Sequence, residues 1–258
     1  MTLIRTDVDA RGVATLTLAR ADKHNALSAE MMTALEKAAR DLAEDGSVRA
    51  VVLAAEGKTF CAGGDLAWMR AQFDMDPDTR RTESRRIATM LGALYDLPQP
   101  LIGRVHGNAF GGGVGLVSVC DVAIGVDGTK LGFTETRLGL IPANIGPYVI
   151  ARMGGTRASE VFMSARLFDA AEAVRLNLLS RTVDAGDLDA AVEAEVLPYL
   201  SCAPGAVAEA KALMRDLTGR VTEAQIDMAI DALARRWQSD EAREGVGAFF
   251  DKRKPDWQ

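Results

Sequence analysis

A short, continuously apolar segment, VRAVVLAA at residues 48–55, constrains the fold of this 258-residue chain more than any other feature. A strand without a polar side must be covered on both faces, as in the parallel sheets of layered α/β proteins. The segments at 100–107 and 122–126 have the same character, whereas 13–19 alternates apolar and hydroxyl residues like a strand with one wet face. These four runs predict the strands of a central sheet.

Helical patterns lie between and after these strands. Ser28 is a candidate N-cap for a helix over residues 28–45, in which apolar residues recur at helical spacing from Met32 to Leu42. Strand and helix alternate to about residue 150, an order that predicts an α/β fold with crossover connections. After Pro147 the strand signal fades and helical segments follow. These segments are 168–179, 188–200, 204–217 and 222–237.

Composition and charge exclude several other classes of protein. The formal net charge of −6 disfavours nucleic acid or an anionic membrane as a partner. The N-terminal segment lacks the apolar core of a signal peptide, and no apolar run approaches the ~20 residues of a membrane span. Cys61, Cys120 and Cys202 are too far apart for a disulfide framework or a metal site. We therefore expect a cytoplasmic protein with reduced thiols and no bound metal.

Two glycine-rich turns carry the first functional signal. Gly111–Gly113 begin a short apolar helix in AFGGGVGLVSVCD, and KTFCAGGDL (58–66) connects the strand at 48–55 to another predicted helix. A glycine at a helix start lets a ligand approach backbone N–H groups that have no partner. If the two turns converge, two amides can hold one carbonyl oxygen as an oxyanion hole. The alternative is that the glycines only allow close packing against a neighbouring strand.

Two common catalytic motifs are absent from the sequence, which excludes the reactions that they serve. The sequence contains neither the G-x-S-x-G turn of serine hydrolases nor a phosphate-binding P-loop. Thioester chemistry, in which an enolate forms at the carbonyl, suits two backbone amides well. It also needs an acid or a base, and Glu135 lies among apolar residues in KLGFTETRLGLIP. Loss of water there would raise its pKa toward the working range. The alternative is a surface glutamate paired with Arg137 or Lys130.

Taken together, these segments resemble the crotonase superfamily, the enoyl-CoA hydratase/isomerase family. The matching pieces are HNALS, FCAGGDL, HGNAFGGGVGL, CDVAI, FTETRLGLIP and REGVGAFFDKRKP, so the likeness covers nearly the whole chain. It is strongest to bacterial methylglutaconyl-CoA hydratase-like members. The resemblance implies a spiral of ββα repeats over residues 1–195 that holds the CoA and active sites. It also implies a helical C-terminal region, 196–258, that assembles a homotrimer or a dimer of trimers.

The resemblance further implies a coenzyme A thioester as the substrate, with no other cofactor. The residues that it places at the CoA site are Lys58, Ala62, Gly64, Asp65, Leu66, Gly112, Phe249 and Lys252. Lys58 would meet a CoA phosphate and the Ala62 carbonyl would meet the adenine. Phe249 and Lys252 would approach CoA from a neighbouring subunit.

For catalysis, the resemblance assigns the oxyanion hole to the amides of Gly64 and Gly112. Family hydratases of the best-known type use two glutamates, and the second falls on Glu135, whereas the first falls on Gly115. Two reactions remain for a single glutamate: hydration of a 2-enoyl-CoA, or movement of one proton between C2 and C4 of an enoyl-CoA. A third reading is a CoA-binding protein without catalytic activity.

Overall fold

The continuously apolar segments form the middle of a parallel sheet in the computed structural model, which describes residues 2–258. The strands are β1 (Ile4–Val8), β2 (Val13–Leu18), β3 (Ala50–Ala55), β4 (Thr59–Cys61), β5 (Leu101–Val105), β6 (Asn108–Phe110), β7 (Val122–Val126), β8 (Lys130–Gly132), β9 (Leu167–Asp169) and β10 (Arg181–Val183). One sheet has the order β1-β2-β3-β5-β7-β10 and the other the order β4-β6-β8-β9. Neighbouring strands are parallel except for the pairs β1/β2 and β8/β9.

The helices of residues 2–258 surround these sheets. They are α1 (Ala29–Glu44), α2 (Leu66–Ala71), α3 (Pro77–Tyr95), α4 (Gly112–Ser118), α5 (Gly146–Met153), α6 (Gly155–Phe162), α7 (Ala170–Arg175), α8 (Leu188–Leu200), α9 (Pro204–Thr218), α10 (Glu223–Trp237) and α11 (Asp240–Phe250). Ser28 caps α1 as predicted, because its side chain accepts a hydrogen bond from the Met31 N–H. In this range no helix has both the length and the apolarity needed to cross a lipid bilayer.

Strand β3 shows why the segment at its centre has no polar side. All six of its residues are buried. Val51 and Leu53 face the main core with α1 and α3, whereas Ala50 and Val52 face a second cluster that α8 completes. The predicted coverage of both faces is therefore confirmed, and the helix at 188–200 supplies one of the two covers.

Three successive ββα units follow one another along the chain. They are β3–β4–α2, β5–β6–α4 and β7–β8 with a 3₁₀ turn at Glu135–Leu138, which we call the Glu135 turn. Each unit places its first strand in the six-stranded sheet and its second strand in the four-stranded sheet. Because β4, β6 and β8 are parallel neighbours, their carboxyl ends lie side by side. The predicted spiral of ββα repeats is confirmed, and it brings three consecutive turns together.

The C-terminal helices return to the body of the protein. Helix α9 is anchored by Lys211 and Arg215, which are buried and both pair with Asp121, at 2.5 Å and 3.1 Å. Helix α10 packs on α3, and α11 packs on the Glu135 turn. Gly245 permits that last contact, since a Cβ there would lie 2.5 Å from the Leu138 carbonyl carbon. The boundary that we drew after residue 195 falls within α8.

Some elements differ from the predictions. Strands β9 and β10 lie after Pro147, where we expected helices alone, and each has three residues, which is too short for a periodic pattern. Helix α11 lies in the helical region that the resemblance implied, but no periodic pattern predicted it, because Gly245 and Gly247 interrupt its apolar residues.

Candidate active site

A cavity of about 440 Å³ lies at the carboxyl ends of β4, β6 and β8. The two glycine turns and the Glu135 turn form one side of it, and residues of α10 and α11 form another. Most of its lining is apolar. Among the described residues that line it, Glu135 and Arg137 alone have ionisable side chains.

The two glycine turns touch each other beside the cavity. A Cβ on Gly63, which has a φ of +93°, would lie 2.9 Å from the Phe110 carbonyl oxygen and 3.6 Å from the Gly112 nitrogen. A Cβ on Gly113 would lie 2.9 Å from that of Cys61. Side chains at these positions would push the turns apart, so close packing and a backbone site are one feature here, not alternatives.

This contact leaves two amides unused at the cavity wall. Leu27 holds the first turn, because its N–H donates to the Gly63 carbonyl at 2.8 Å and its carbonyl accepts from the Asp65 N–H at 3.0 Å. Gly112 is the first residue of α4, where the helix offers its N–H no acceptor. Within residues 2–258 neither the Gly64 nor the Gly112 amide donates a hydrogen bond, and both residues line the cavity. The pair has the composition of an oxyanion hole.

Glu135 lies next to this pair of amides. A Cβ on Gly111 would be 2.9 Å from its Oε1 atom, so the carboxylate rests on the residue that precedes Gly112. Its Oε2 atom is buried and has no hydrogen-bond partner. Burial raises the pKa of Glu135 to about 7, although backbone hydrogen bonds from residues 134 and 135 offset part of the rise. Its carboxylate pairs with neither Arg137 nor Lys130 in the described part of the chain, so the surface ion pair that we considered is not formed.

Some of the remaining residues that we assigned to CoA line the cavity, and the others lie outside it or have a structural role. Ala62, Leu66 and Phe249 line the cavity together with Gly64 and Gly112. Phe249 does so in its own chain, whereas the resemblance led us to expect it at the site of a neighbouring subunit.

The carboxylate of Asp65 has a structural role. It caps α2 by accepting from the Ala67 and Trp68 amides, and it pairs with Arg20 at 2.7 Å. Burial alone would raise the pKa of Asp65, but these partners outweigh it and hold the pKa below its usual value. Lys58 and Lys252 are exposed and lie outside the lining of the cavity.

The far wall of the cavity contains residues that the sequence analysis did not assign to the site. Leu233 and Trp237 of α10 reach it, with Leu140 and Ile145 from the segment after the Glu135 turn. Trp237 packs edge-on against Phe73, with ring centroids 5.1 Å apart. Only the helical spacing of α10 hinted that these side chains are buried. That they border this cavity follows from the folding back of the chain, which no local pattern encodes.

Replacing Glu135 by Gln should stabilise the protein more at high pH than at low pH. The folded-state pKa lies above the unfolded value of 4.5, so wild type loses stability as the pH rises from about 4.5 to about 7. Urea unfolding should show that the advantage of Glu135→Gln over wild type grows by about 3 kcal/mol between pH 4.5 and pH 8. The exposed Glu209→Gln is the matched control. An advantage of Glu135→Gln that does not change with pH would contradict the buried position of this carboxylate.

Known proteins are similar to this chain over nearly all of its length. The family model described as enoyl-CoA hydratase/isomerase matches residues 9–258. The crystal structure of an enoyl-CoA hydratase from Mycobacterium avium superimposes with a TM-score of 0.88, at 32% identity over 100% of both chains. The crystal structure of an enoyl-CoA hydratase from Mycobacterium smegmatis superimposes with a TM-score of 0.81, at 37% identity over 100% of this chain and 99% of the other. Methylglutaconyl-CoA hydratase of Mus musculus is 30% identical over 95% of this chain and 79% of its own. The chain therefore belongs to the enoyl-CoA hydratase/isomerase family.

Proposed function

We propose that this protein adds water across the double bond of a 2-enoyl-CoA, with Glu135 as the acid and base. The observation that carries the proposal is the contact between the Glu135 carboxylate and Gly111, directly beside the unused amide of Gly112. A thioester oxygen bound to the Gly64 and Gly112 amides would therefore lie next to a carboxylate whose pKa is about 7. Such a pKa lets one group both accept and return a proton near neutral pH.

The steps balance with this single carboxylate. Glu135 removes a proton from water as the water oxygen bonds to C3, and the electron pair of the C2–C3 double bond moves to the thioester carbonyl. The two amides stabilise the enolate oxygen that results. The protonated Glu135 then returns its proton to C2, which restores the thioester and regenerates the carboxylate.

One observation also favours a second candidate, the isomerase. Glu135 is the only acidic side chain among the described residues that line the cavity, and isomerisation needs only one. The carboxylate would then take a proton from C4 and return it to C2 or the reverse, without using water. A CoA-binding protein without catalysis is the weakest candidate, because the buried Oε2 atom of Glu135 has no hydrogen-bond partner, which costs stability and would serve no purpose there.

Arg137 supports a narrower substrate class. Its side chain lines the cavity, it is exposed, and it forms no ion pair within residues 2–258. A guanidinium group at the edge of an apolar cavity suits a carboxylate on the acyl chain. The name of the mouse relative denotes such an acyl group, which is branched and carries a second carboxylate. We infer that branched, carboxylated enoyl thioesters are good substrates.

We also infer a homo-oligomer, a trimer or a dimer of trimers. Helix α9 exposes Leu213, Met214 and Leu217, whose side chains are apolar. Three such residues on one exposed helix face are typical of an interface between subunits. The helix itself is held firmly by the Lys211 and Arg215 ion pairs.

The direct test of the reaction uses 2-enoyl-CoA and 3-enoyl-CoA in parallel. Hydration yields a product heavier by one water, whereas isomerisation yields a product of unchanged mass. Glu135→Gln should lower kcat by about 100-fold or more, with the CoA affinity unchanged, because the proton transfers lose their carrier. Glu209→Gln should retain wild-type rates. Full activity of Glu135→Gln would contradict the assignment, and turnover of 3-enoyl-CoA alone would favour the isomerase.

The oxyanion hole has a matched pair of variants at position 112. A Cβ there would meet a terminal methyl of Leu27 at 2.8 Å, so Ala and Pro impose a similar steric load away from the ligand. Only Pro removes the N–H, and the first position of a helix tolerates Pro. We expect kcat for Gly112→Pro to fall about 100-fold below that of Gly112→Ala. Equal rates for the two folded variants would remove this amide from the site.

The proposed role of Arg137 is tested by comparing carboxylated and uncharged substrates. Arg137→Leu should lower kcat/KM for a carboxylated enoyl-CoA by about 10-fold to 100-fold, because the ion pair with the substrate is lost. The value for an uncharged substrate of the same length should stay within about 2-fold. Arg235→Leu is the control, since Arg235 is also exposed and unpaired in the described residues but lies outside the cavity. Equal losses on both substrates would contradict the inference.

A further inference from the structure

Gly115 lies against a side chain of the cavity wall. A Cβ at this position would lie 2.6 Å from Cγ2 and 3.2 Å from Cβ of Ile145, and 3.0 Å from Cδ1 of Leu91. The Leu91 atom is a terminal methyl that can turn away. The two Ile145 atoms lie close to the backbone, so that residue would have to move as a whole. The absence of a side chain at 115 is therefore what allows Ile145 its position.

The backbone of Ile145 is held in place by helix α5. It precedes α5 as the N-cap residue, and its carbonyl accepts a hydrogen bond from the Val149 N–H at 3.0 Å. Its side chain is only 2% exposed and borders the cavity, whereas Gly115 does not reach the lining. Ile145 thus forms the wall at the place where a side chain at position 115 would otherwise stand.

This wall lies close to where the acyl chain would react. Gly115 follows Gly112 by three residues on α4, which places it about 5 Å further along the helix axis. An acyl group whose thioester oxygen is bound at Gly112 spans a similar length from that oxygen to its third and fourth carbons. Because Ile145 and Gly112 line the same cavity, Ile145 lies within reach of C3 and its substituents if the thioester binds as proposed above.

We propose that Ile145, in the place that Gly115 leaves free, is a specificity-determining residue that limits the size of the substituent at C3 of the acyl chain. The wall that it forms is apolar. It favours a small alkyl branch over a polar group, and its β-branched side chain leaves no room for a second ionisable residue at position 115. The proposal rests on the proposed function for the placement of the thioester.

The steric part is tested by thermal unfolding of Gly115→Ala, Ile145→Ala and the double variant. Gly115→Ala should lower the Tm by about 5 °C or more, because the methyl group overpacks a fixed neighbour. In the Ile145→Ala background the same change should cost less than half as much, since the space is then available. Additive changes in Tm would overturn the proposal.

The specificity part is tested by binding of saturated thioesters, which do not turn over. Ile145→Ala should raise the affinity for 3-ethylpentanoyl-CoA relative to pentanoyl-CoA by about 10-fold, as calorimetry can measure. Ile150→Ala is the control, because Ile150 is exposed on α5 outside the cavity. An unchanged ratio would overturn the proposal. If the ratio shifts but wild type hydrates no 2-enoyl-CoA, the role of Ile145 stands and the proposed reaction fails. If neither thioester binds, both the role of Ile145 and the proposed reaction are overturned.

Discussion

The site depends on the contact between two turns that have no side chains at their meeting point. Gly63 approaches the carbonyl of Phe110 and the nitrogen of Gly112 more closely than any other residue could. The ββα repeat brings these turns together, since each follows a strand of the four-stranded sheet. Folding therefore fixes the two free amides before any ligand binds, and such preorganisation is what makes backbone donors effective in catalysis.

The Glu135 turn is positioned by helices from the opposite end of the chain. Arg236 of α10 donates to the Gly139 carbonyl through Nε at 3.0 Å, just after the Glu135 turn, and also pairs with Glu241 of α11. Helix α10 adds Leu233 and Trp237 to the cavity wall. The C-terminal helices thus hold the Glu135 turn and complete the wall of the cavity, so loosening them should affect activity before the sheet unfolds.

Much of this arrangement could be predicted from the sequence because its signals are local. The β3 segment showed that both faces of the sheet are covered, and the glycine runs marked the turns whose amides line the cavity. Glu135 was recognised by its apolar neighbours. The roles of Ile145 and Trp237 could not be predicted, since each depends on a contact between segments that are distant along the chain. The engagement of Asp65 by Arg20 was hidden for the same reason.

The central claim is that the Gly64 and Gly112 amides bind one thioester oxygen beside the Glu135 carboxylate. The most direct measurement is a crystal structure with a bound acyl-CoA. We expect its carbonyl oxygen to lie about 3 Å from both amide nitrogens, with C2 within reach of a Glu135 oxygen. A thioester oxygen that contacts neither amide, or an acyl chain that points away from Glu135, would contradict the account.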